Sequence, residues 1–219
     1  MSGHIRITPS ILNAYFNHLD QEIAQIAAVS DFIHLDIMDN IFVSNFSFDF
    51  AAASKIITGS PIPIDAHLMV ADVDSIAIDY AVAGAASVTI HAEATADISS
   101  TLKGIKSHGA RAALAVKPGT AIDQYSEFLD DIDMFLIMTV EPGFGGQSFI
   151  PEVLTKVAAV RRLVDSGELT ILIEIDGGIK VGNIRRAADA GADTFVAGSA
   201  IFGSGDYAGT IAALRSALE

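Results

Sequence analysis

The chain has 219 residues, enough for one large domain or two small ones with a substantial buried core. Its 13 basic and 27 acidic residues leave a formal net charge of -14, which argues against binding nucleic acid or an anionic membrane through bulk electrostatics. No cysteine is present, so disulfides and thiolate metal sites are excluded, and any metal must be held by His, Asp or Glu.

The N-terminal MSGHIRITPS has no signal-peptide apolar region, and no apolar run is long enough to span a bilayer, so a cytoplasmic protein is expected. No Pro/Gly/Ser linker, low-complexity tract or charge block divides the sequence, and residues 1–219 read as one domain. Short apolar runs predict eight strands, at 6–12, 32–38, 64–69, 87–91, 111–116, 134–139, 170–175 and 194–197. Amphipathic stretches between them predict helices, among them 19–29, 76–83, 151–164 and 183–190. AGA at 83–85 and AGAD at 190–193 place a glycine at the end of two of these helices. Alternating strands and helices imply a parallel sheet. The competing architecture, an open doubly wound sheet, usually has fewer strands, and its G-x-G-x-x-G fingerprint is missing after the first strand. The expected fold is therefore α/β, a single-domain TIM (β/α)8 barrel.

Catalytic groups of such a barrel sit where strands end and the following loops begin. The second strand, in IHLDIMDNIFVSN, carries His34 and Asp36 two positions apart, hence on one face, and Asp39 with them brackets the strand end. Charged groups are rarely buried unless paired or bound to a metal. His67 lies near the end of the third strand in IDAHLMV, and Asp176 follows the seventh in IEIDGGI. A single strand histidine reads more readily as a hydrogen-bonded core residue. Four such residues, all at strand ends, instead make a mixed nitrogen and oxygen site for a divalent metal such as Zn, Fe(II), Mn or Co. His91, ending the fourth strand beside Glu93, reads equally as a further polar group at the mouth or as a satisfied pair. Met38, Met69 and Met138 end strands two, three and six, as core filler or as walls that exclude water from the carboxylates.

After the sixth strand comes EPGFGGQSF, where Gly143, Phe144, Gly145 and Gly146 form a loop whose backbone N–H groups can approach a ligand closely. Gly177 and Gly178 follow the seventh strand, and Gly198 with Ser199 opens a short helical turn after the eighth. Barrels commonly bind phosphate with these last loops. A substrate monophosphate follows, and the acidic net charge makes such a local device necessary.

With these residues assembled, the chain resembles the ribulose-phosphate 3-epimerase family. The resemblance runs in order through ITPSILN, HLDIMDNIFVSN, DAHLMV, HAEAT, VKPGT, MTVEPGFGGQSF, IDGGI and AGSAIFG, nearly the whole chain. It implies a barrel of the ribulose-phosphate-binding type and epimerisation at C3 of D-ribulose 5-phosphate to D-xylulose 5-phosphate, a step of the pentose phosphate pathway. It implies one divalent metal per subunit on His34, Asp36, His67 and Asp176, with Asp36 and Asp176 also as the acid/base pair. Ser10, His67, Gly143, Phe144, Gly145, Gly146, Asp176, Gly177, Gly178, Gly198 and Ser199 match substrate-holding positions. A homo-oligomer is implied as well. The family more often has glycine and proline where this chain has Asn40 and Ser44. Asn40 can keep a left-handed turn, and Ser44 loosens the loop without touching a ligand.

The residues fit that chemistry on their own terms. Inverting a carbon beside a ketone removes a proton from one face and returns one to the other, so two acid/base groups are needed. A carboxylate is a weak base for such a C–H, so the enediolate needs Lewis-acid stabilisation. Three alternatives stand beside this reading. Epimerisation of a phosphorylated hexulose would use the same groups; a decarboxylase or aldolase of the same phosphate-binding barrel type is the second, with the strand-end histidines counting against its metal-free decarboxylase version; and a non-catalytic sugar-phosphate binder has no need of two aspartates around a metal.

Overall fold

The computed structural model describes residues 5–219. Eight strands, β1 (Arg6–Pro9), β2 (Ile33–Met38), β3 (Ile64–Met69), β4 (Ser87–His91), β5 (Arg111–Val116), β6 (Met134–Met138), β7 (Leu172–Asp176) and β8 (Thr194–Ala197), form one sheet of parallel neighbours in the order β1-β8-β7-β6-β5-β4-β3-β2. Helices α1 (Leu19–Ile26), α2 (Phe50–Gly59), α3 (Val73–Val82), α4 (Ile98–Ser107), α5 (Leu154–Asp165), α6 (Val181–Asp189), α7 (Ser199–Phe202) and α8 (Tyr207–Ser216) alternate with them, and the β5–β6 crossover carries a 3-10 stretch, Ile122–Phe128. This is the expected (β/α)8 barrel, nearly closed. No described helix is long and apolar enough to cross a membrane.

Strand parity decides where the core lies. Ile33, Leu35 and Ile37 of β2, Ile64, Ala66 and Leu68 of β3, and Ile173 and Ile175 of β7 belong to the large apolar cluster beneath the helices. The alternate positions, His34, Asp36, Asp65, His67, Ser87, Thr89, His91, Glu174 and Thr194, are buried and polar. They point into the barrel because successive side chains on a strand take opposite faces. Three helices start on aspartate caps, with Asp49 accepting the N–H of Ala52 at 2.8 Å, Asp97 that of Ser100 at 3.0 Å and Asp206 that of Gly209 at 2.9 Å.

The ring closes between β1 and β2 through few bonds. Ser10 and His34 form a single parallel bridge. Below it the N–H of Asp31 donates to the carbonyl of Ile7 at 3.2 Å, and the N–H of Ile7 returns to the Asp31 carboxylate at 2.9 Å. Arg215 on α8 donates to the same carboxylate at 2.7 Å and to the carbonyl of Val29 at 3.1 Å.

Strands expected at 64–69, 87–91, 111–116 and 194–197 form at those residues. The first strand stops at Pro9 rather than residue 12, because the Ser10 hydroxyl accepts the N–H of Leu12 at 3.3 Å and starts the 3-10 turn Ile11–Asn13. The seventh starts two residues late, where Leu172 donates to the carbonyl of Asp133 at 3.0 Å, and ends one late, so Asp176 is its last residue rather than the first of the loop. Helix α1 ends at Ile26 rather than residue 29, because the N–H of Val29 turns to the carbonyl of Ile26, three residues back, at 3.1 Å instead of continuing the four-residue ladder. Pro151 begins a 3-10 turn, and α5 itself starts at Leu154.

The seam predicts that Asp31→Ala, which strands the Ile7 N–H and takes from Arg215 its carboxylate partner, lowers stability by roughly 2 kcal/mol in urea unfolding. Asp189→Ala, which removes an exposed pair with Arg185 four residues back, is expected to cost under about 0.5 kcal/mol. Equal effects from the two substitutions would contradict the seam's role.

Candidate active site

The inward polar residues nearest the C-terminal ends of β2, β3 and β7 converge on one point. The ring atom Nε2 of His34 lies 3.2 Å from Nδ1 of His67, 3.4 Å from a carboxylate oxygen of Asp36 and 3.8 Å from one of Asp176. Nδ1 of His67 is 3.2 Å from the same Asp36 oxygen and 3.7 Å from that of Asp176. Four donors each about 2.0–2.2 Å from one tetrahedral ion stand roughly 3.3–3.6 Å apart. The observed spacings bracket that range, so the four residues fit a metal in both donor type and separation. His34 and His67 are fully buried, Asp36 nearly so, and Asp176 is the member open to solvent.

Three of the four donors are held from behind. His34 turns Nδ1 to the buried Asp65 carboxylate at 2.8 Å, and the hydroxyl of Ser87 donates to the other oxygen of Asp65 at 2.5 Å. The Ser10 hydroxyl donates to the second oxygen of Asp36 at 2.5 Å. Nε2 of His67 lies 3.0 Å from Nε2 of His91, whose Nδ1 is 3.2 Å from the Glu93 carboxylate. Glu93 accepts the N–H of Lys117 at 2.8 Å and the hydroxyl of Thr120. Asp39 does not join the centre. Its carboxylate takes the N–H groups of Ile41, Phe42 and Ala71 at 2.8, 2.9 and 2.7 Å, so it clamps the loop after β2.

The two central aspartates are driven in opposite directions. Burial alone would raise Asp36, but the charges and hydrogen bonds of His34 and His67 outweigh it and hold the carboxyl far below the usual carboxylate range. Burial pushes Asp176 up to about 6, and the Asp36 carboxylate adds to the rise against the opposing pull of His34. His34 itself is raised, because Asp36 and Asp65 overcome the burial that would lower it. His91, by contrast, is pushed down to about 4, chiefly by burial. Deeper in the barrel, burial and the nearby Asp65 raise Glu174 well above its ordinary range.

Above the centre opens a pocket lined by Ser10, Asp36 and Asp176, by Met38, Met69 and Met138, and by all the glycine loops noted in the sequence. The three methionines are 1–2 % exposed and wall the carboxylates on the pocket floor. At Gly177, φ is +124°, and a Cβ would stand 2.5 Å from Val140; at Gly178, φ is +65°, and a Cβ would stand 2.7 Å from the backbone nitrogen of Phe149. Only glycine lets β7 turn there without pushing the loop after β6 away. Asn45 donates to the carbonyl of Gly143 at 2.8 Å, and Gln147 to those of Glu141 and Phe144 at 2.6 and 2.9 Å, which sets the loop's shape. Asn40 has φ 60°, the left-handed turn expected of it, and its N–H donates to the carbonyl of Asn45 at 2.8 Å.

Sequence reasoning missed Asn13, whose side-chain oxygen would lie 2.6 Å from a Cβ at either Gly145 or Gly198, so it sits between the two glycine loops. It also missed Asp65, although both Asp65 and His67 lie on the inward face of β3.

The profile of the ribulose-phosphate 3 epimerase family matches residues 6–202. The ribulose-phosphate 3-epimerase of Mycobacterium leprae is 50% identical over 209 residues, 95% of this chain and 93% of that protein. That of Escherichia coli K12 is 45% identical over 214 residues, 97% of this chain and 95% of that protein. Among solved structures, KGPDC from Streptococcus mutans superposes with a TM-score of 0.74 at 18% identity, covering 98% of this chain and 97% of that one. The 3-hexulose-6-phosphate synthase of Salmonella typhimurium gives 0.71 at 19%, covering 98% of each, and both likenesses show the barrel architecture. With a family profile across most of its length and close relatives end to end, the chain belongs to the ribulose-phosphate 3-epimerase family of isomerases.

Proposed function

We propose that the protein inverts C3 of D-ribulose 5-phosphate to give D-xylulose 5-phosphate, with one divalent metal held by His34, Asp36, His67 and Asp176. The observation that carries this reading is the convergence of Asp36 and Asp176, two carboxylates from distant strands, on one donor cluster whose surroundings lower the first and raise the second. Pairs of titratable groups pushed apart by their surroundings mark acid and base roles. When bound, a divalent ion supplies Lewis-acid stabilisation for negative charge on the substrate oxygens.

The chain's own residues do the rest. The phosphate is received by backbone N–H groups of Gly143, Phe144, Gly145 and Gly146, with Gly177, Gly178, Gly198 and Ser199, a device suited to an acidic protein. Ser10 holds one oxygen of Asp36, leaving the other directed at the centre. Asp36, ionised, takes the C3 proton from one face, which leaves the enediolate. Asp176, protonated, delivers a proton to the opposite face of C3. One turnover therefore leaves Asp36 protonated and Asp176 ionised, and the reverse reaction starts from that state. Asp176, the more exposed of the two, is the group through which the pair resets with solvent. Met38, Met69 and Met138 keep water from the intermediate. The physiological setting proposed for residues 1–219, acting as one catalytic barrel, is the cytoplasm.

Asp36→Asn and Asp176→Asn are each expected to lower turnover by at least about 100-fold in both directions. The check is a coupled assay run beside metal analysis of each variant. An aspartate whose Asn variant turns over at near the parent rate is not a member of the pair.

Asp176 also sets a pH dependence in metal-free protein. Its folded-state value, about 6, lies above the ordinary 3.8, so the folded chain binds this proton more tightly. The stability it contributes is full below that window and is lost as pH rises through it. Metal-free Asp176→Asn is expected to melt above the metal-free parent at neutral pH, with the gap closing near about pH 4. A gap that widens on acidification would contradict the assignment.

A further inference from the structure

The two histidines of the centre are supported differently. His34 has a carboxylate, Asp65, on its far nitrogen, whereas His67 meets another imidazole there. Left to itself, His67 would favour a proton on Nδ1, where the Asp36 carboxylate lies 3.2 Å away. That tautomer would put a hydrogen where a metal's lone-pair donor must be.

The contact between Nε2 of His67 and Nε2 of His91, 3.0 Å long, has room for one proton, so one ring donates and the other accepts. The direction is set further out. Glu93 is fixed as an acceptor because the N–H of Lys117 and the hydroxyl of Thr120 both donate to its Oε1, leaving Oε2 facing Nδ1 of His91. His91 therefore carries its proton on Nδ1, and its Nε2 is a bare acceptor. His67 must then donate from Nε2, which leaves Nδ1 bare toward the centre. The ring of Phe42, 4.9 Å from that of His91 at an interplanar angle of 46°, packs against the imidazole and fixes its plane, and Lys117 caps Phe42 with its ammonium 4.0 Å above the ring.

We infer that His91 is a positioning residue for the metal centre, selecting with Glu93 the His67 tautomer that can ligate a metal through Nδ1. The inference rests on the proposed ligation by His67. It assigns a purpose to a fully buried histidine that touches neither the pocket nor a reacting atom.

The test uses the full chain stripped of metal and titrated with Co2+, in the parent, His91→Leu and His91→Gln, with two-bond proton–nitrogen NMR of the histidine rings before metal is added. Leucine removes the acceptor. Glutamine keeps a carbonyl that can take the His67 proton. The expected result is a His67 ring protonated on Nε2 in the parent, cobalt binding weakened about 10- to 100-fold in His91→Leu, and binding largely restored in His91→Gln. Cobalt bound equally well by His91→Leu would overturn the inference, and so would equal weakening in both variants, which would mean that His91 acts only by filling space. Should His91→Leu not fold, the parent's spectrum decides, since a proton on Nδ1 of His67 overturns the inference and one on Nε2 supports it. A parent that fails to bind Co2+ would instead overturn the metal reading on which the inference rests.

Discussion

A parallel strand buried on both faces must choose what each face holds, and in this barrel the choice is strict. The outward positions of β2, β3 and β7 are apolar and pack under the helices, while the inward ones carry imidazoles and carboxylates, with Met38 and Met69 at the strand ends. Shifting any of these strands by one residue would turn its charges into the helix layer and its isoleucines into the barrel. Register is thereby fixed by the same side chains that build the site. Buried charge is tolerable only when neighbouring donors and acceptors are complete, and here Asp36 is met by Ser10, His34 by Asp65, and His67 by His91 and Glu93, across β1, β2, β3 and β4.

That mutual satisfaction also separates the tasks of two like groups. Asp36 and Asp176 are the same residue type at one cluster. The first is surrounded by imidazoles and the Ser10 hydroxyl, the second has a side chain 15% exposed and feels the first as a like charge. Their environments, rather than their identities, suit one to accept a proton and the other to give one. On the proposed reading, an acidic chain receives a phosphate through backbone rather than lysine or arginine, at the glycine turns after β6, β7 and β8 that line the pocket.

Much of this was legible in the residues. Apolar runs bounded by turn signals located the strands, and four matched to the residue, because a run such as IDAHLMV is cut off sharply at both ends. The two-residue spacing of His34 and Asp36 gave their common face, and glycines gave the loops. Strand and helix ends set by side-chain hydrogen bonds were not legible. Ser10 ends β1 by bonding Leu12, and Arg215, almost two hundred residues away, holds the turn after α1 through the carbonyl of Val29. Partner choice across strands was hidden too. Asp65 stands opposite His34 in the β2–β3 register, which no local pattern reveals. His91 read equally as a polar group at the mouth or a satisfied pair, and the structure joins it to Glu93 on one side and to His67 on the other, away from the pocket lining. Asn13 closes the ITPSILN stretch, but its place in the site shows only where Gly145 and Gly198 approach it.

The central claim is proton exchange at C3 by two aspartates at a metal centre. The most direct measurement is proton NMR of ribulose 5-phosphate in deuterium oxide with the purified protein, before and after chelation and with metal restored. The account predicts deuterium at C3 together with the appearance of xylulose 5-phosphate, both lost on chelation and both regained with the metal. Metal-loaded protein that leaves the C3 proton in place would contradict it, and the barrel and its phosphate loops would then serve a different substrate.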